Sequence, residues 1–250
     1  MRVLAGRRIV IVGGAAGIGK RITEDFCRQQ DIVAITDRNA EAGSELAAQL
    51  RESGGQASFY SMDVCSWEDS RTAIEQAILD MGGVDVLVYS AGITRRVPFE
   101  QLEWDEWKRT LAVNLTGLFH AAKAVAPKMI EQRSGAIVII GSGSAITGSG
   151  GGVHYAASKG GAFGFMRTLV SELGPHGIRI NTVAPRVIES EMLSRLYPNP
   201  ADLERLKESI PLRRLGTVDD VSNIVQFLSS EESGYIQGQV LICDGGRTYS

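Results

Sequence analysis

The strongest constraint on the fold is a regular alternation of short apolar runs with longer amphipathic segments. The runs are rich in β-branched residues with few polar interruptions, which is typical of parallel strands covered on both faces. Segment 67–81 repeats apolar residues at helical spacing. The predicted strands are Arg8–Val12, Ile32–Thr36, Ala57–Ser61, Val84–Tyr89, Ala136–Ile140, Arg179–Val183 and Gln239–Cys243, and the predicted helices are 18–30, 40–53, 67–81, 104–131, 156–173, 201–208 and 218–229.

This alternation predicts an α/β fold in which right-handed crossovers join the strands of a doubly wound parallel sheet. Ligands of such sheets bind beyond the carboxyl ends of the strands. No low-complexity linker divides the chain, so we expect one domain over 1–250. Residues 186–212 interrupt the alternation, which favours a substrate loop or lid over a plain surface insertion. Pro127 is predicted to kink or end the 104–131 helix.

Composition excludes several classes of protein. Apolar residues make up 44% and charged residues 22% of the chain, as in ordinary globular proteins. The net charge is −3, without blocks of like charge, which argues against nucleic-acid and membrane-surface binding. No apolar run reaches the length of a membrane-spanning helix. The three cysteines are far apart, so we expect reduced thiols in a cytoplasmic protein and no metal site: Cys27, Cys65 and Cys243.

Glycines cluster directly after the first predicted strand, in the sequence Gly-Gly-Ala-Ala-Gly-Ile-Gly at 13–19. At a strand–helix junction this pattern predicts a dinucleotide-binding turn. Gly13 would allow the tight turn, Gly17 would let the backbone approach a pyrophosphate, and Gly19 would allow close packing of helix on strand. The helix amino terminus, which begins around Ala16 and Ile18, would supply free N–H groups to the phosphates.

The second strand ends at Asp37, 24 residues after Gly13. A carboxylate there can accept hydrogen bonds from the adenosine ribose and repels a 2′-phosphate. Arg38 follows and would attract that phosphate. Asp37 therefore favours NAD, whereas Arg38 favours NADP. Ala16 adds no positive charge inside the turn, and we therefore predict NAD as the cofactor rather than NADP.

Tyr155 and Lys159 stand four residues apart and would share one face of a helix. A nearby ammonium lowers the pKa of a phenol, which makes tyrosine a better acid–base group at neutral pH. Ser142, 13 residues before Tyr155, could polarise a substrate oxygen. Asn114 lies in an apolar helical stretch, where its amide needs hydrogen-bond partners. These four residues are the predicted catalytic set.

In ordered combination, these motifs resemble those of the classical short-chain dehydrogenase/reductase family. The resemblance covers nearly the whole chain and also includes Asp63-Val64, Ala91-Gly92, 178–181 and 244–246. It implies a seven-stranded Rossmann-like domain, hydride transfer with a nicotinamide cofactor, and a homotetramer or homodimer. By that resemblance Tyr155 is the general acid/base, Lys159 lowers its pKa and binds the nicotinamide ribose, and Ser142 orients the substrate oxygen. Asn114 would hold a relay water.

The resemblance also assigns a larger set of cofactor contacts. Asp63 and Val64 would lie against the adenine, and Ile188 and Ser190 near the nicotinamide carboxamide. Some positions depart from the family pattern, including Val12 for threonine, Tyr89-Ser90 for two asparagines and Arg186 for glycine. The complete predicted set is Gly13, Ala16, Gly17, Ile18, Gly19, Asp37, Arg38, Asp63, Val64, Ser90, Ala91, Gly92, Tyr155, Lys159, Pro185, Ile188 and Ser190.

The expected substrate is small and polar, because the loop 141–152 consists mainly of glycine and serine. A guanidinium near the nicotinamide could bind an anionic group in bidentate fashion, although cofactor or structural contacts are the alternative. His154 could contact substrate or pack beside the helix start. The candidate substrate residues are Arg95, Arg96, Ser144, His154 and Arg186.

The leading hypothesis is an NAD-dependent oxidoreductase of carbohydrate metabolism that interconverts a secondary alcohol and a ketone on a sugar, polyol or sugar acid. One alternative is a 3-oxoacyl-thioester reductase that uses NADPH. An alternative of another class is a dinucleotide-binding regulator without catalysis, against which the complete catalytic set argues.

Overall fold

The structure is a computed structural model that describes residues 6–197 and 199–248. Its centre is a single sheet of seven strands in the order β3-β2-β1-β4-β5-β6-β7, with every neighbouring pair parallel. The predicted α/β doubly wound sheet is confirmed. The strands are β1 Arg8–Val12, β2 Ile32–Asp37, β3 Gln56–Ser61, β4 Val86–Tyr89, β5 Gly135–Ile140, β6 Ile178–Pro185 and β7 Val240–Cys243.

Helices connect the strands and cover both faces of the sheet. They are α1 Gly17–Arg28, α2 Ala40–Glu52, α3 Trp67–Met81, α4 Trp104–Leu111, α5 Gly117–Gln132, α6 Ser144–Thr147, α7 Val153–Leu173, α8 Glu191–Leu196, α9 Pro200–Glu208 and α10 Val218–Leu228. No helix within the described ranges has the length and apolar character needed to cross a membrane.

The predicted helix over 104–131 differs most from the structure. A π-helical turn, Ala112–Thr116, separates α4 from α5. Pro127 does not end the helix, because α5 continues to Gln132. Burial of one whole side of α5, including Leu118, Val125 and Met129, offsets the backbone hydrogen bond that proline cannot make.

The core lies in two layers, one on each face of the sheet. On one face, side chains such as Leu87 and Ile137 pack against α3, α5 and α7. On the other face, Ile11 and Val88 pack against α1, α2 and α10. The strand order reverses between β1 and β4, which places a crevice at their carboxyl ends.

The segment between β6 and α10 forms a small structure of its own. It contains α8 and α9, and a third apolar cluster of Leu193, Leu206, Ile210 and Leu215 holds it together. The sequence predicted a single helix in this segment, 201–208, which corresponds to α9, and it did not predict α8. The segment therefore has a packed interior, and its role as a lid stays a prediction.

Candidate active site

In the glycine turn after β1, backbone atoms of neighbouring residues leave no room for a side chain at Gly13 or Gly19. A Cβ atom on Gly13 would lie 2.6 Å from the Ala91 nitrogen, and one on Gly19 would lie 1.9 Å from the Gly13 oxygen. Gly17 differs, because its φ is +53° and a Cβ atom added there would have no neighbour within 4 Å. Packing thus requires Gly13 and Gly19, whereas Gly17 borders open space.

The amino terminus of α1 adjoins that open space. Its N-cap residue is Ala16, which offers no side-chain hydrogen bond, and the first turn contains no acidic residue. The first N–H groups of a helix have no partners within the helix, and its dipole favours an anion there. These features fit the pyrophosphate of a dinucleotide, which would supply the missing acceptors.

Asp37 lies at the carboxyl end of β2, next to the glycine turn. Its Oδ2 accepts a hydrogen bond from the Ala15 nitrogen at 3.2 Å, and its Oδ1 accepts one from the Asn39 nitrogen at 3.0 Å. Arg38 is exposed beside it. At the end of β3, the Asp63 carboxylate accepts a hydrogen bond from the Cys65 nitrogen at 2.9 Å. Both predicted adenosine-end carboxylates therefore lie at the same edge of the sheet.

The predicted catalytic residues lie at the carboxyl end of β5 and on α7. Tyr155 and Lys159 are one turn apart on α7, with Lys159 Nζ 6.0 Å from the centre of the Tyr155 ring. Lys159 is buried and donates a hydrogen bond to the Ile140 oxygen at 2.7 Å. The Ser142 hydroxyl accepts one from the Ser144 nitrogen at 3.1 Å. A Cβ on Gly92 would lie 3.3 Å from Lys159 Nζ, so glycine leaves space beside the ammonium.

Burial is the largest influence on the pKa of both members of this pair. Burial raises the pKa of Tyr155, and its hydrogen bond with Ser142 acts in the opposite direction. Burial lowers the pKa of Lys159 to about 8. The Lys159 ammonium donates to the Ile140 carbonyl, and the expected lowering of the Tyr155 pKa by Lys159 stays a prediction.

Asn114 is held in the π-helical turn and makes three hydrogen bonds. Its Oδ1 accepts from the Ile93 nitrogen at 2.8 Å, and its Nδ2 donates to the Ile93 oxygen at 3.0 Å. Nδ2 also donates to the Ser158 hydroxyl at 3.0 Å, which itself donates to the Tyr155 carbonyl at 2.8 Å. The amide therefore joins the loop after β4 to the catalytic turn of α7. The predicted relay water of Asn114 stays a prediction.

Sequence reasoning missed the supporting residues of this turn. The Tyr89 hydroxyl donates a hydrogen bond to the Val113 oxygen inside the π-helical turn. A Cβ on Gly117 would lie 2.4 Å from that hydroxyl, so the tyrosine fits only against a glycine. In the sequence, the only sign of this support was that tyrosine replaces the family's asparagine at position 89. Its contact with Gly117 on α5 could be found only in the three-dimensional structure.

The remaining predicted cofactor residues also lie along this edge. Ala91 and Ser90 follow β4, and the Ser90 nitrogen donates to the Val12 oxygen at 2.8 Å. Pro185 ends β6. Ile188 is buried, and the Ser190 hydroxyl caps α8 by accepting a hydrogen bond from the Leu193 nitrogen at 3.3 Å. Val64 and Ile18 are buried and half-buried, respectively.

The predicted substrate residues divide into separate groups. His154 has no exposed surface and neither ring nitrogen has a hydrogen-bond partner among the described residues, so it packs beside the helix start. Ser144 is buried. Arg186 donates to the Ser149 hydroxyl at 2.6 Å and to the Thr248 hydroxyl at 3.3 Å. Arg95 and Arg96 are exposed on the loop after β4. No metal-binding cluster of acidic, histidine or cysteine side chains occurs in the described ranges.

Comparisons with known proteins agree with this arrangement. A family model described as enoyl-(acyl carrier protein) reductase matches residues 13–248. A 3-oxoacyl-[acyl-carrier-protein] reductase of Chlamydia pneumoniae is 37% identical over 246 residues, covering 98% of each chain. A D-threitol dehydrogenase of Mycolicibacterium smegmatis is 35% identical over 245 residues, covering 98% of this chain and 94% of its own.

A solved structure extends the comparison. The gluconate 5-dehydrogenase of Burkholderia cenocepacia, in complex with NADP and tartrate, has a TM-score of 0.94 and 34% identity. The alignment covers 99% of this chain and 97% of that one. The chain belongs to the short-chain dehydrogenase/reductase family and is an oxidoreductase that binds a nicotinamide dinucleotide. The open space at Gly17 and the uncapped start of α1 fit such a cofactor.

Proposed function

We propose that the protein is an NAD-dependent oxidoreductase that interconverts a secondary alcohol and a ketone on a small polar substrate, such as a sugar, polyol or sugar acid. The position of Asp37 supports the cofactor choice. Its carboxylate is fixed beside the glycine turn by the Ala15 and Asn39 nitrogens. A 2′-phosphate about 4 Å away would be repelled by about 4 kcal/mol per pair of unit charges at an effective dielectric constant near 20.

The bound nicotinamide would take up or supply the hydride, and the protein would handle the proton. Tyr155 exchanges that proton with the substrate oxygen through its hydroxyl, and Ser142 holds the same oxygen by a hydrogen bond. Ser142 already interacts with the Tyr155 hydroxyl, so one substrate oxygen can replace that contact and meet both groups. Lys159, one turn from Tyr155 on α7, would bind the nicotinamide ribose through its ammonium.

Asn114 has a positioning role in this proposal. By holding Ile93 and Ser158 together, it fixes the distance between the loop after β4 and the catalytic face of α7. Hydrogen bonds from a buried amide to backbone groups are costly to break, so the spacing is rigid. A small misplacement of reacting groups lowers the rate strongly.

The loop over the predicted substrate position favours a small polar molecule. Four glycines of this loop have positive φ, a backbone conformation that favours glycine. They are Gly148, Gly150, Gly151 and Gly152. A Cβ on Gly151 would lie 2.4 Å from the Tyr155 ring, so this backbone lies against the catalytic side chain. A sugar, polyol or sugar acid suits such a lining better than a long acyl chain.

A second candidate function is that of a 3-oxoacyl-thioester reductase that uses NADPH. The identity of 37% to the reductase of Chlamydia pneumoniae favours it. Asp37 argues against it, since the carboxylate disfavours a phosphorylated ribose. The two proposals therefore differ in both cofactor and substrate.

A spectrophotometric screen of the purified protein tests the proposal. Polyols, aldoses, sugar acids and hydroxy-sulfonates are offered with NAD and with NADP, and an acetoacetyl thioester is offered with NADH and NADPH. We expect turnover of polar alcohols with NAD and its loss in Tyr155→Phe. A higher kcat/KM with the thioester and NADPH would overturn the proposal in favour of the reductase. Light scattering on the same sample tests the expected homotetramer or homodimer.

Full cofactor binding with no turnover of any substrate would favour the non-catalytic regulator instead.

A further inference from the structure

The turn at 63–66 (the β3 turn) follows β3 at the edge of the sheet where the cofactor would bind. The glycine turn follows β1, Asp37 ends β2 and Asp63 follows β3, and these three strands are neighbours in the sheet. Neighbouring strands lie about 4.8 Å apart, so the end of β3 is about 10 Å from the glycine turn. With the pyrophosphate at the glycine turn and the ribose at Asp37, the adenine would lie beside the β3 turn.

Hydrogen bonds within the β3 turn fix its own shape. The Ser66 nitrogen donates to the Asp63 oxygen at 3.0 Å, and the Cys65 nitrogen donates to the Asp63 carboxylate at 2.9 Å. The Val64 carbonyl takes part in neither of these bonds. Contacts with another element must therefore fix the position of Val64 relative to the rest of the protein.

Helix α5 supplies these contacts to Val64. His120 Nδ1 lies 2.9 Å from the Val64 oxygen, and it donates the hydrogen bond because a carbonyl can only accept. A Cβ on Gly117 would lie 2.8 Å from the Val64 Cβ, so the valine side chain lies directly against the backbone of α5. His120 is 8% and Val64 9% exposed, so water has little access to replace the hydrogen bond.

Aromatic neighbours hold the His120 ring in its orientation. The ring centres of Trp67 and Phe119 each lie 5.7 Å from that of His120, at interplanar angles of 53° and 55°. Tilted pairs at this distance are favourable arrangements of aromatic rings. Lys123 Nζ lies 5.0 Å from the centre of the Trp67 ring and 5.3 Å from that of Phe119, which adds cation–π contacts to the cluster. The imidazole therefore has little freedom to leave the Val64 carbonyl.

We propose that His120 is a positioning residue for the adenine end of the cofactor and acts through the Val64 carbonyl. This inference rests on the proposed function, which places the adenosine of NAD next to Asp37, and it adds a residue that sequence reasoning did not single out. A β3 turn that is already in place needs little further ordering when the adenine binds, and this favours tight binding. Without the imidazole donor, the Val64 oxygen would be buried without its partner, and the turn would shift to find another.

Direct binding tests this role without turnover. Calorimetry measures the Kd of NAD and that of ADP-ribose, which keeps the adenosine diphosphate and lacks the nicotinamide. We expect His120→Leu to raise both Kd values by the same factor of about tenfold, the size of one lost hydrogen bond. His120→Asn keeps an N–H donor close to the position of Nδ1, so its Kd values should return to within about threefold of those of the unmodified protein.

Gln132→Leu is the matched control. Gln132 is also on α5 and its Nε2 donates to the Val84 oxygen at 2.6 Å, but this bond lies before β4, at the opposite edge of the sheet. We expect Gln132→Leu to leave both Kd values unchanged. An unchanged Kd of ADP-ribose in His120→Leu would overturn the inference. Equal increases in His120→Leu and Gln132→Leu would also overturn it, because the effect would then come from a general loosening of α5.

Kinetics separate this role from a catalytic one and from a failure of the proposed function. His120→Leu should raise the KM for NAD about tenfold, whereas kcat at saturating NAD should stay within about twofold, since the nicotinamide end is unaffected. A lower kcat with an unchanged KM would overturn the positioning role. Tighter binding of NADP than of NAD would overturn the proposed cofactor choice, and the comparison with ADP-ribose would still decide the role of His120.

Discussion

The Asn114 side chain makes two hydrogen bonds with the backbone of Ile93. Its Oδ1 accepts one from the Ile93 nitrogen at 2.8 Å, and its Nδ2 donates one to the Ile93 oxygen at 3.0 Å. Asn114 is 1% exposed, so water cannot replace these bonds. Asn114→Ala should lower the free energy of unfolding by about 2–4 kcal/mol, because two backbone groups lose their partners in a buried site. Chemical denaturation measures this change.

Asn223→Ala, an exposed position on α10, is the control and should change stability by less than about 0.5 kcal/mol. Equal stabilities of Asn114→Ala and the unmodified protein would show that the amide does not hold the loop.

Lys159 should make the stability of the cofactor-free protein depend on pH. Its pKa is about 8 in the folded protein, against an ordinary value of 10.5. Between these values the unfolded chain binds the extra proton, so raising the pH favours the folded state. The cost of burying the ammonium is fully present below pH 8 and is relieved as the pH approaches 10.5.

The unmodified protein should therefore gain about 3 kcal/mol of stability relative to Lys159→Met as the pH rises from 7 to 10.5. Denaturation of both proteins across this range measures the gain. Lys123→Met, an exposed substitution on α5, should show a constant difference from the unmodified protein. A pH-independent difference for Lys159→Met would contradict the lowered pKa of Lys159 in the folded protein.

Asp37→Ser should shift the cofactor preference toward NADP. The substitution removes the carboxylate that repels the 2′-phosphate and leaves Arg38 to attract it. The ratio of kcat/KM for NAD to that for NADP should fall at least about tenfold. Arg38→Gln is the opposing control and should raise the ratio. An unchanged ratio in Asp37→Ser would remove Asp37 from cofactor selection.

Two glycines of the turn should tolerate alanine differently. A Cβ on Gly19 would overlap the Gly13 oxygen at 1.9 Å, so Gly19→Ala should lower the free energy of unfolding by about 3 kcal/mol. Gly17→Ala meets no atom and should cost about 1 kcal/mol, from its φ of +53° alone. Thermal denaturation compares the two. Equal costs would mean that the turn relaxes away from the helix.

Gln226 offers a test of buried polarity away from the active site. Its side chain is 5% exposed, and neither amide atom has a partner among the described residues. Gln226→Met should raise the free energy of unfolding by about 1 kcal/mol, since it removes an unpaired buried amide at similar volume. Gln49→Met, at an exposed position on α2, should leave stability nearly unchanged. A loss of stability in Gln226→Met would indicate that the amide has a bound partner in solution.

The sequence by itself located the seven strands in order and the region of the chain in which each strand ends. Apolar runs such as Arg8–Val12 are strands because both of their faces must be covered, and this local pattern survives in the structure. The glycine turn and the spacing of Tyr155 and Lys159 are equally local, so they could be located from the chain alone.

Only the tertiary structure decided which distant residues meet. The π-helical turn at Asn114, its support by Tyr89 and the pairing with Ile93 depend on contacts between separate elements. The environment of Lys159 likewise follows from burial against β5, which no spacing along α7 reveals. Burial and long-range hydrogen bonds such as that of His120 with Val64 are properties of the packed chain, since their energies depend on three-dimensional distance and exclusion of water.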